Sequence, residues 1–239
     1  MQVEEFLRKK KIRLNEQQME AVKSIKGKTL LLAVPGSGKT TVIVTRIAYM
    51  IYACNILPEN ILTLTYSVSA ARDMKLRYVA TFGEENSLNF RTIHSFCVMV
   101  LKEFERQTGR EIFKLIRNQN EILAKIYLSI KREFANEIII NELLNQITFC
   151  INNMIDLEEI KKIKNTNIDF YKVFVTYRKY KIQNKLMDFD DQLKYAYEIL
   201  KKYPIILNKF KKQFEYINVD EAQDTSRLQH EIIRLIVRR

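Results

Sequence analysis

The chain has 239 residues, 47% of them hydrophobic, which excludes wholesale disorder and leaves room for one large domain or two small ones. Its net charge of +12 and pI near 9.5 favour a polyanionic partner, because phosphates attract Lys and Arg, although a merely Lys-rich composition produces the same excess. Three scattered cysteines (Cys54, Cys97, Cys150) without a CxxC pair, and only two histidines, exclude a disulfide framework and a thiolate or His-rich metal site.

No run approaches the roughly 20 apolar residues of a membrane span. The N-terminal MQVEEFLRKKKIR lacks the apolar centre of a signal peptide. A cytoplasmic protein with no membrane partner is expected.

Along the chain, Thr29–Val34 reads as a buried strand and Lys39–Ala53 as a helix. Ile61–Tyr66 reads as a second strand, followed by a helix over Ser69–Ala80. Leu88–Thr92 reads as a third strand leading into a helix through about Arg106. This alternation predicts a parallel sheet covered by helices. From Thr108 to Lys185 the texture changes to apolar residues at three- and four-residue spacing, predicting an all-helical stretch. Its helices are marked by Ile122–Ile130, Ile138–Cys150 and Phe170–Tyr180, the last with an aromatic stripe that belongs in a core. The α/β texture then returns, with a helix over Gln192–Lys202, a strand over Phe214–Val219 and a helix over Leu228–Val237.

Glycine and proline are scarce, yet Pro35, Gly36 and Gly38 crowd into Ala33-Val34-Pro35-Gly36-Ser37-Gly38-Lys39-Thr40. Between a predicted strand and a predicted helix, this is the context of a phosphate-binding loop. Glycines let successive N–H groups face phosphate oxygens, and the helix start adds its positive dipole. Lys39 would reach the β- and γ-phosphates, and Thr40 would offer a hydroxyl to Mg²⁺. Ala33 occupies the position where the GxxxxGK[ST] pattern has its first glycine.

The run Tyr216–Val219 ends in Asp220-Glu221. Carboxylates at the C-terminal end of a strand face the ligand crevice of an open α/β sheet. Asp220 would hold Mg²⁺, and Glu221 would act as general base on the attacking water. Alone, such a pair is an ordinary solvated strand end; beside a phosphate loop it completes a nucleoside triphosphatase.

The remaining motifs resemble those of UvrD-like superfamily 1 DNA helicases, the UvrD/PcrA/Rep kind. Leu14-Asn15-Glu16-Gln17-Gln18-Met19-Glu20-Ala21-Val22 resembles the family's LNxxQxxAV, whose glutamine, Gln18 here, recognises adenine. Thr65–Met74 is similar to TFTNKAAxEM, with Tyr66 in place of Phe and Val68 and Ser69 in place of Asn and Lys. Thr92-Ile93-His94-Ser95-Phe96 resembles TxHSF, Met187–Asp191 resembles DFDDL, and Asp220–Thr225 resembles DExQDT. The resemblance spans the whole chain and implies ATP and Mg²⁺ as cofactors.

It also implies roles. Gln18, Ala33, Pro35, Gly36, Ser37, Gly38, Lys39, Thr40, Thr41 and Arg46 would face ATP, Thr41 standing where the family has Arg and Arg46 matching a family arginine. Lys39, Glu221 and Gln223 would be catalytic, Gln223 sensing the γ-phosphate. Thr65, Tyr66, Ser67 and His94 would contact single-stranded DNA.

The implied fold is a RecA-like P-loop NTPase domain interrupted by an all-helical insert. Its segments would be 1–107 and 186–239 (RecA-like) and 108–185 (insert). The family's GDxxQSIYxFRGA segment and second RecA-like domain are not in this sequence, so the chain reads as a fragment whose missing domain is a partner. A 3′-to-5′ DNA helicase half, weakly active alone and serving for instance DNA repair, is expected. The incomplete sheet could also drive self-association. The alternative is a truncated or degenerate helicase-like module that binds DNA or a partner without turnover.

Overall fold

The computed structural model describes residues 1–34, 36–84, 87–165 and 168–237. The elements are α1 (Val3–Lys10), α2 (Glu16–Lys23), α3 (Lys39–Cys54), β1 (Ile61–Thr65), α4 (Val68–Phe82), β2 (Asn89–Thr92), α5 (Ile93–Thr108) and β3 (Lys114–Leu115). They continue with α6 (Gln119–Lys131), α7 (Glu137–Asn152), α8 (Leu157–Ile160), α9 (Phe170–Gln183), β4 (Leu186–Met187), α10 (Phe189–Lys202), α11 (Pro204–Gln213), β5 (Tyr216–Val219) and α12 (Arg227–Val237). The chain forms two compact units, one from residues 1–93 and 209–224, the other from 94–208 and 225–239. Residues 94–107, 186–208 and 225–239 thus fall in the same unit as the stretch 108–185.

In the first unit, three parallel strands lie in the order β2-β1-β5. The central strand, Ile-Leu-Thr-Leu-Thr, is buried at every residue, as a strand covered on both faces must be. Thr63 sits opposite Phe90 on one side and Asn218 on the other. Asn218, which interrupts the apolar run of β5, donates from Nδ2 to the Thr63 hydroxyl at 3.4 Å, so its amide is used across the sheet. Val42, Ile47 and Met50 of α3 pack in the same core as Phe6 of α1 and Met74 and Tyr78 of α4. Ser67 caps α4 by accepting from the Ala70 N–H, and the helix stops at Gly83, whose φ of 94° suits glycine.

The strand expected over Thr29–Val34 does not form. Leu30, Leu32 and Val34 are 77%, 83% and 72% exposed. A strand exists only through a ladder with a neighbour, and β5 pairs only with β1 among the described residues. An apolar run with no ladder to join therefore stays irregular, whatever its sequence prefers.

The second unit is mostly helical. Leu123, Leu143, Ile147, Phe170, Val173 and Tyr177 form its core with neighbours on α6, α7 and α9. The aromatic stripe of α9 (Phe170, Phe174, Tyr177) is buried there, as its spacing predicts. The stretch 108–185 is not purely helical: Lys114–Leu115 pairs in parallel with Leu186–Met187, tying its start to the residues just after its end.

Beside that pair lies a buried charge cluster. Lys181 Nζ is 2.6 Å from both Asp188 Oδ2 and Asp191 Oδ2, and the Tyr177 hydroxyl donates to Asp188 at 3.1 Å. Asp188 caps α10, and Asp191 returns a bond to its N–H, a reciprocal capping box. Burial, first, and the neighbouring Asp188 push the Asp191 carboxyl above the ordinary carboxylate range, against the pull of Lys181.

Candidate nucleotide and nucleic-acid sites

The loop after Val34 turns through Gly36 (φ 79°) and Gly38 (φ 86°), both in the left-handed region, and Gly38 caps α3. A side chain at Gly38 would be strained by its φ and would also meet Gln18 Nε2 at 3.4 Å. Lys39 and Thr40 then open α3, where backbone N–H groups have no helical partner and attract anions.

Gln18 is held at both ends of its amide. Its Oε1 accepts from the Asn15 N–H at 3.0 Å, closing the capping box of α2, and its Nε2 donates to the Ser37 carbonyl at 2.9 Å. A carboxamide has two donor hydrogens and two acceptor lone pairs. One of each remains, the pair that the N6/N7 edge of adenine requires. The buried Ser37 hydroxyl makes no hydrogen bond among the described residues, which leaves a donor free beside the loop.

β5 delivers the acidic side. Asp220 follows the strand and its N–H donates to the Leu64 carbonyl at 2.9 Å. Burial, first, and the adjacent Glu221 charge raise its carboxyl pKa, partly offset by a backbone hydrogen bond from Glu221 and by Lys39. Glu221 has a φ of 48°, a left-handed conformation costing a non-glycine residue on the order of 1–2 kcal/mol. Its Oε1 lies 3.7 Å from Lys39 Nζ, and its Oε2 accepts from Gln223 Nε2 at 2.6 Å.

A cleft of about 810 Å³ is lined by Ala33, Gly36, Gly38, Lys39, Thr40, Glu221 and Gln223 from the sequence-derived set. Gln18 and Ser37 adjoin it through Gly38. Pro35 lies outside the described residues. Thr41 is exposed on α3 and is not part of the lining, and Arg46 is engaged elsewhere, with the Ala21 and Ser24 carbonyls. Asp224 and Arg77 also line the cleft and were missed by sequence reasoning. The only signal for Arg77 was its place on the helix that follows the Thr65–Ser67 motif.

Of the residues expected to touch DNA, Thr65 is buried and donates to the Ser67 carbonyl at 3.0 Å, and Ser67 caps α4. Both shape the turn that presents Tyr66, whose ring is 62% exposed. In the second unit, His94 opens α5 edge-on to Phe189, with ring centroids 6.2 Å apart. Phe189, 57% exposed, was not singled out from sequence. Within Met187–Asp191, Asp188 and Asp191 belong to the buried cluster, and Asp190 accepts from Thr148 and Asn152, both at 2.7 Å. Phe189 is the member of that motif left facing solvent. Burial lowers the His94 pKa, and Asp190 partly restores it.

A family model described as the UvrD/REP helicase N-terminal domain matches residues 14–239. The chain belongs to this family. Curated UvrD/REP relatives include the ATP-dependent DNA helicase PcrA of Bacillus subtilis, 31% identical over 95% of this chain and 31% of the relative. Probable DNA helicase II homologs of Mycoplasma capricolum and Mycoplasma pneumoniae are 35% and 33% identical, each over 93% of this chain and over 32% and 33% of their own lengths. The chain thus spans about a third of the relatives it matches. The UvrD/REP membership accords with the mixed α/β fold and its parallel sheet flanked by helices. No helix among the described residues is long and apolar enough to cross a membrane.

Proposed function

We propose that this chain is the ATP-binding, DNA-contacting half of a UvrD-like helicase motor, with ATP as nucleotide and single-stranded DNA as track. The observation that carries the reading is the convergence of Lys39, Glu221 and Gln223 on one cleft beside Gln18. Segments 1–107 and 186–239 are assigned to the RecA-like domain and 108–185 to its insert.

Gln18 reads the adenine edge with its spare donor and acceptor. The glycine loop and the start of α3 cradle the phosphates. Arrival of the triphosphate draws Lys39 away from Glu221, because a triphosphate carries more charge than one carboxylate. Glu221 is then free to accept a proton from the attacking water. Gln223, bonded to that carboxylate, links the state of the γ-phosphate to the segment that follows it. Arg77 adds a positive charge to the lining.

The hydroxyl of Thr40 and the buried carboxylate of Asp220 are hard oxygen donors that suit Mg²⁺ shared with phosphate. When bound, the ion neutralises charge on the β- and γ-oxygens. Tyr66 and the His94–Phe189 pair present aromatic surface on which bases stack without regard to sequence.

Full turnover requires a second RecA-like domain whose arginines stabilise the transition state, worth on the order of 10³–10⁵ in rate. In the family, the strand that follows DExQDT within the same RecA-like domain would also pair with the Thr29–Val34 segment and the edge of β5 away from β1. Without that second domain and this strand, weak hydrolysis, no unwinding and a tendency to self-associate through the open sheet are expected. Translocation from 3′ to 5′ and a cytoplasmic location complete the reading.

The test is steady-state ATP hydrolysis with and without single-stranded DNA, alongside equilibrium ATP binding and a Lys39→Ala control. Lys39-dependent ATP binding with feeble, DNA-responsive hydrolysis supports the reading. Absence of ATP binding overturns it. Tight DNA binding with no turnover at all would favour the degenerate module, to which the departures from the family pattern at Val68, Ser69 and Thr41 lend weight.

A further inference from the structure

Arg46 sits two turns into α3, downstream of the phosphate loop. Its guanidinium donates to the Ala21 carbonyl at 2.7 Å and to the Ser24 carbonyl. Both carbonyls belong to the C-terminal end of α2, where the last helical C=O groups lack intrahelical partners and the dipole is negative. Ser24 N–H bonds back to Glu20, so the Ala21 carbonyl is the next one in need of a donor. A half-buried arginine thus closes this helix end from a different element, as a C-cap supplied in trans along the chain.

The same short helix carries Gln18 in its first turn, where Gln18 is tied to the Ser37 carbonyl of the phosphate loop. Two points therefore fix α2 against the segment 37–46, one at each end of the helix. The Gln18 point lies at the nucleotide cleft and is exposed to disturbance whenever a base or phosphate arrives. The Arg46 point involves no residue of the cleft lining. Burial pushes the Arg46 pKa down, yet an arginine retains its charge at neutral pH, so this point does not switch off.

We propose that Arg46 is a positioning residue for base selectivity: by anchoring the C-terminal end of α2 to the phosphate-loop helix, it holds the Gln18 amide at the distance from the loop that adenine recognition needs. It touches no nucleotide. This inference rests on the ATP reading above.

The experiment is calorimetric titration of the full chain with ATP, GTP and inorganic tripolyphosphate, each with Mg²⁺. Tripolyphosphate engages the loop and Lys39 but has no base, so it reports the phosphate site alone. Arg46→Gln is expected to lower ATP affinity about tenfold, the scale of one well-made hydrogen bond to a charged group, towards the GTP value. Tripolyphosphate affinity stays at the wild-type level. Arg46→Lys, which keeps one charged donor and guards against a failure of Arg46→Gln to fold, is expected to fall between. Because both residues act through one contact, Gln18→Ala combined with Arg46→Gln loses no more ATP affinity than Gln18→Ala alone.

Equal losses for ATP and tripolyphosphate, an unchanged ATP-to-GTP ratio, or additive losses in the double variant would each overturn the assignment. Wild-type chain that binds neither ATP nor tripolyphosphate overturns the ATP reading, and the role of Arg46 falls with it.

Discussion

Lys39 Nζ and Glu221 Oε1 stand 3.7 Å apart, within ion-pair distance, in the lining of one cleft. Replacing Glu221 by Gln removes the proposed base and also the carboxylate beside Lys39. Hydrolysis should fall by about 10²–10⁴, the usual contribution of a general base. ATP affinity should hold or rise. Phosphate-release kinetics and nucleotide titration on the same preparation check both halves; a variant that hydrolyses at the wild-type rate removes Glu221 from the chemistry.

Arg77 reaches the cleft from α4 without belonging to either nucleotide motif. Arg77→Ala should weaken ATP binding roughly tenfold, as loss of one charge-assisted hydrogen bond does. ADP should be affected less than ATP if the contact is to the terminal phosphate. Competitive displacement of a fluorescent nucleotide by each ligand measures the difference.

Phe189 and Tyr66 are exposed rings on separate units. Each alanine substitution should cost about 1–3 kcal/mol of single-stranded DNA affinity, the range for a base stacked on an aromatic ring. Phe189→Trp should bind as wild type. Fluorescence anisotropy with a labelled oligonucleotide decides this, with ATP binding as the control that should not move.

His94 titrates below the ordinary histidine value, because burial disfavours its charged form more than Asp190 favours it. A depressed folded-state pKa means that the unfolded chain takes up the proton first. Stability from this group is complete above the unfolded value and declines as pH falls towards the folded one. An NMR titration should place its midpoint under that of a free histidine, and Asp190→Asn should lower it further. A midpoint at or above the free value would show that the ring is not desolvated.

Lys181 satisfies two buried carboxylates at once. Lys181→Met would leave Asp188 and Asp191 without a cation and should cost about 3–5 kcal/mol, as breaking a buried ion pair does. Urea unfolding measures it. A loss under 1 kcal/mol would mean that the pair adjusts by sharing a proton, which the raised Asp191 pKa makes available.

That Gly36, Gly38, Lys39 and Thr40 share one cleft was legible in the sequence because their placement is local, following from one turn and one helix start. Asp220 and Glu221 were legible because a strand end fixes where they point. Thr29–Val34 was read as a strand on its apolar character, and that failed because a ladder needs a partner that no local pattern reveals. Thr65 and Ser67 were placed among the DNA contacts by resemblance, yet each spends its hydroxyl on the turn around Tyr66. Arg77 and Phe189 were invisible because only tertiary placement distinguishes them from any exposed arginine or phenylalanine.

The first unit is assembled from two stretches of chain, with β5 returning to β1 only after the whole excursion from His94 to Asn208. Closing so long a loop carries an entropic cost before any pairing repays it, and distant pairings form slowly. The cleft therefore cannot mature while the first hundred residues emerge from the ribosome; Lys39 waits for Glu221. During synthesis, the appearance of the complete cleft marks the moment when the later stretch has found its place beside the earlier one.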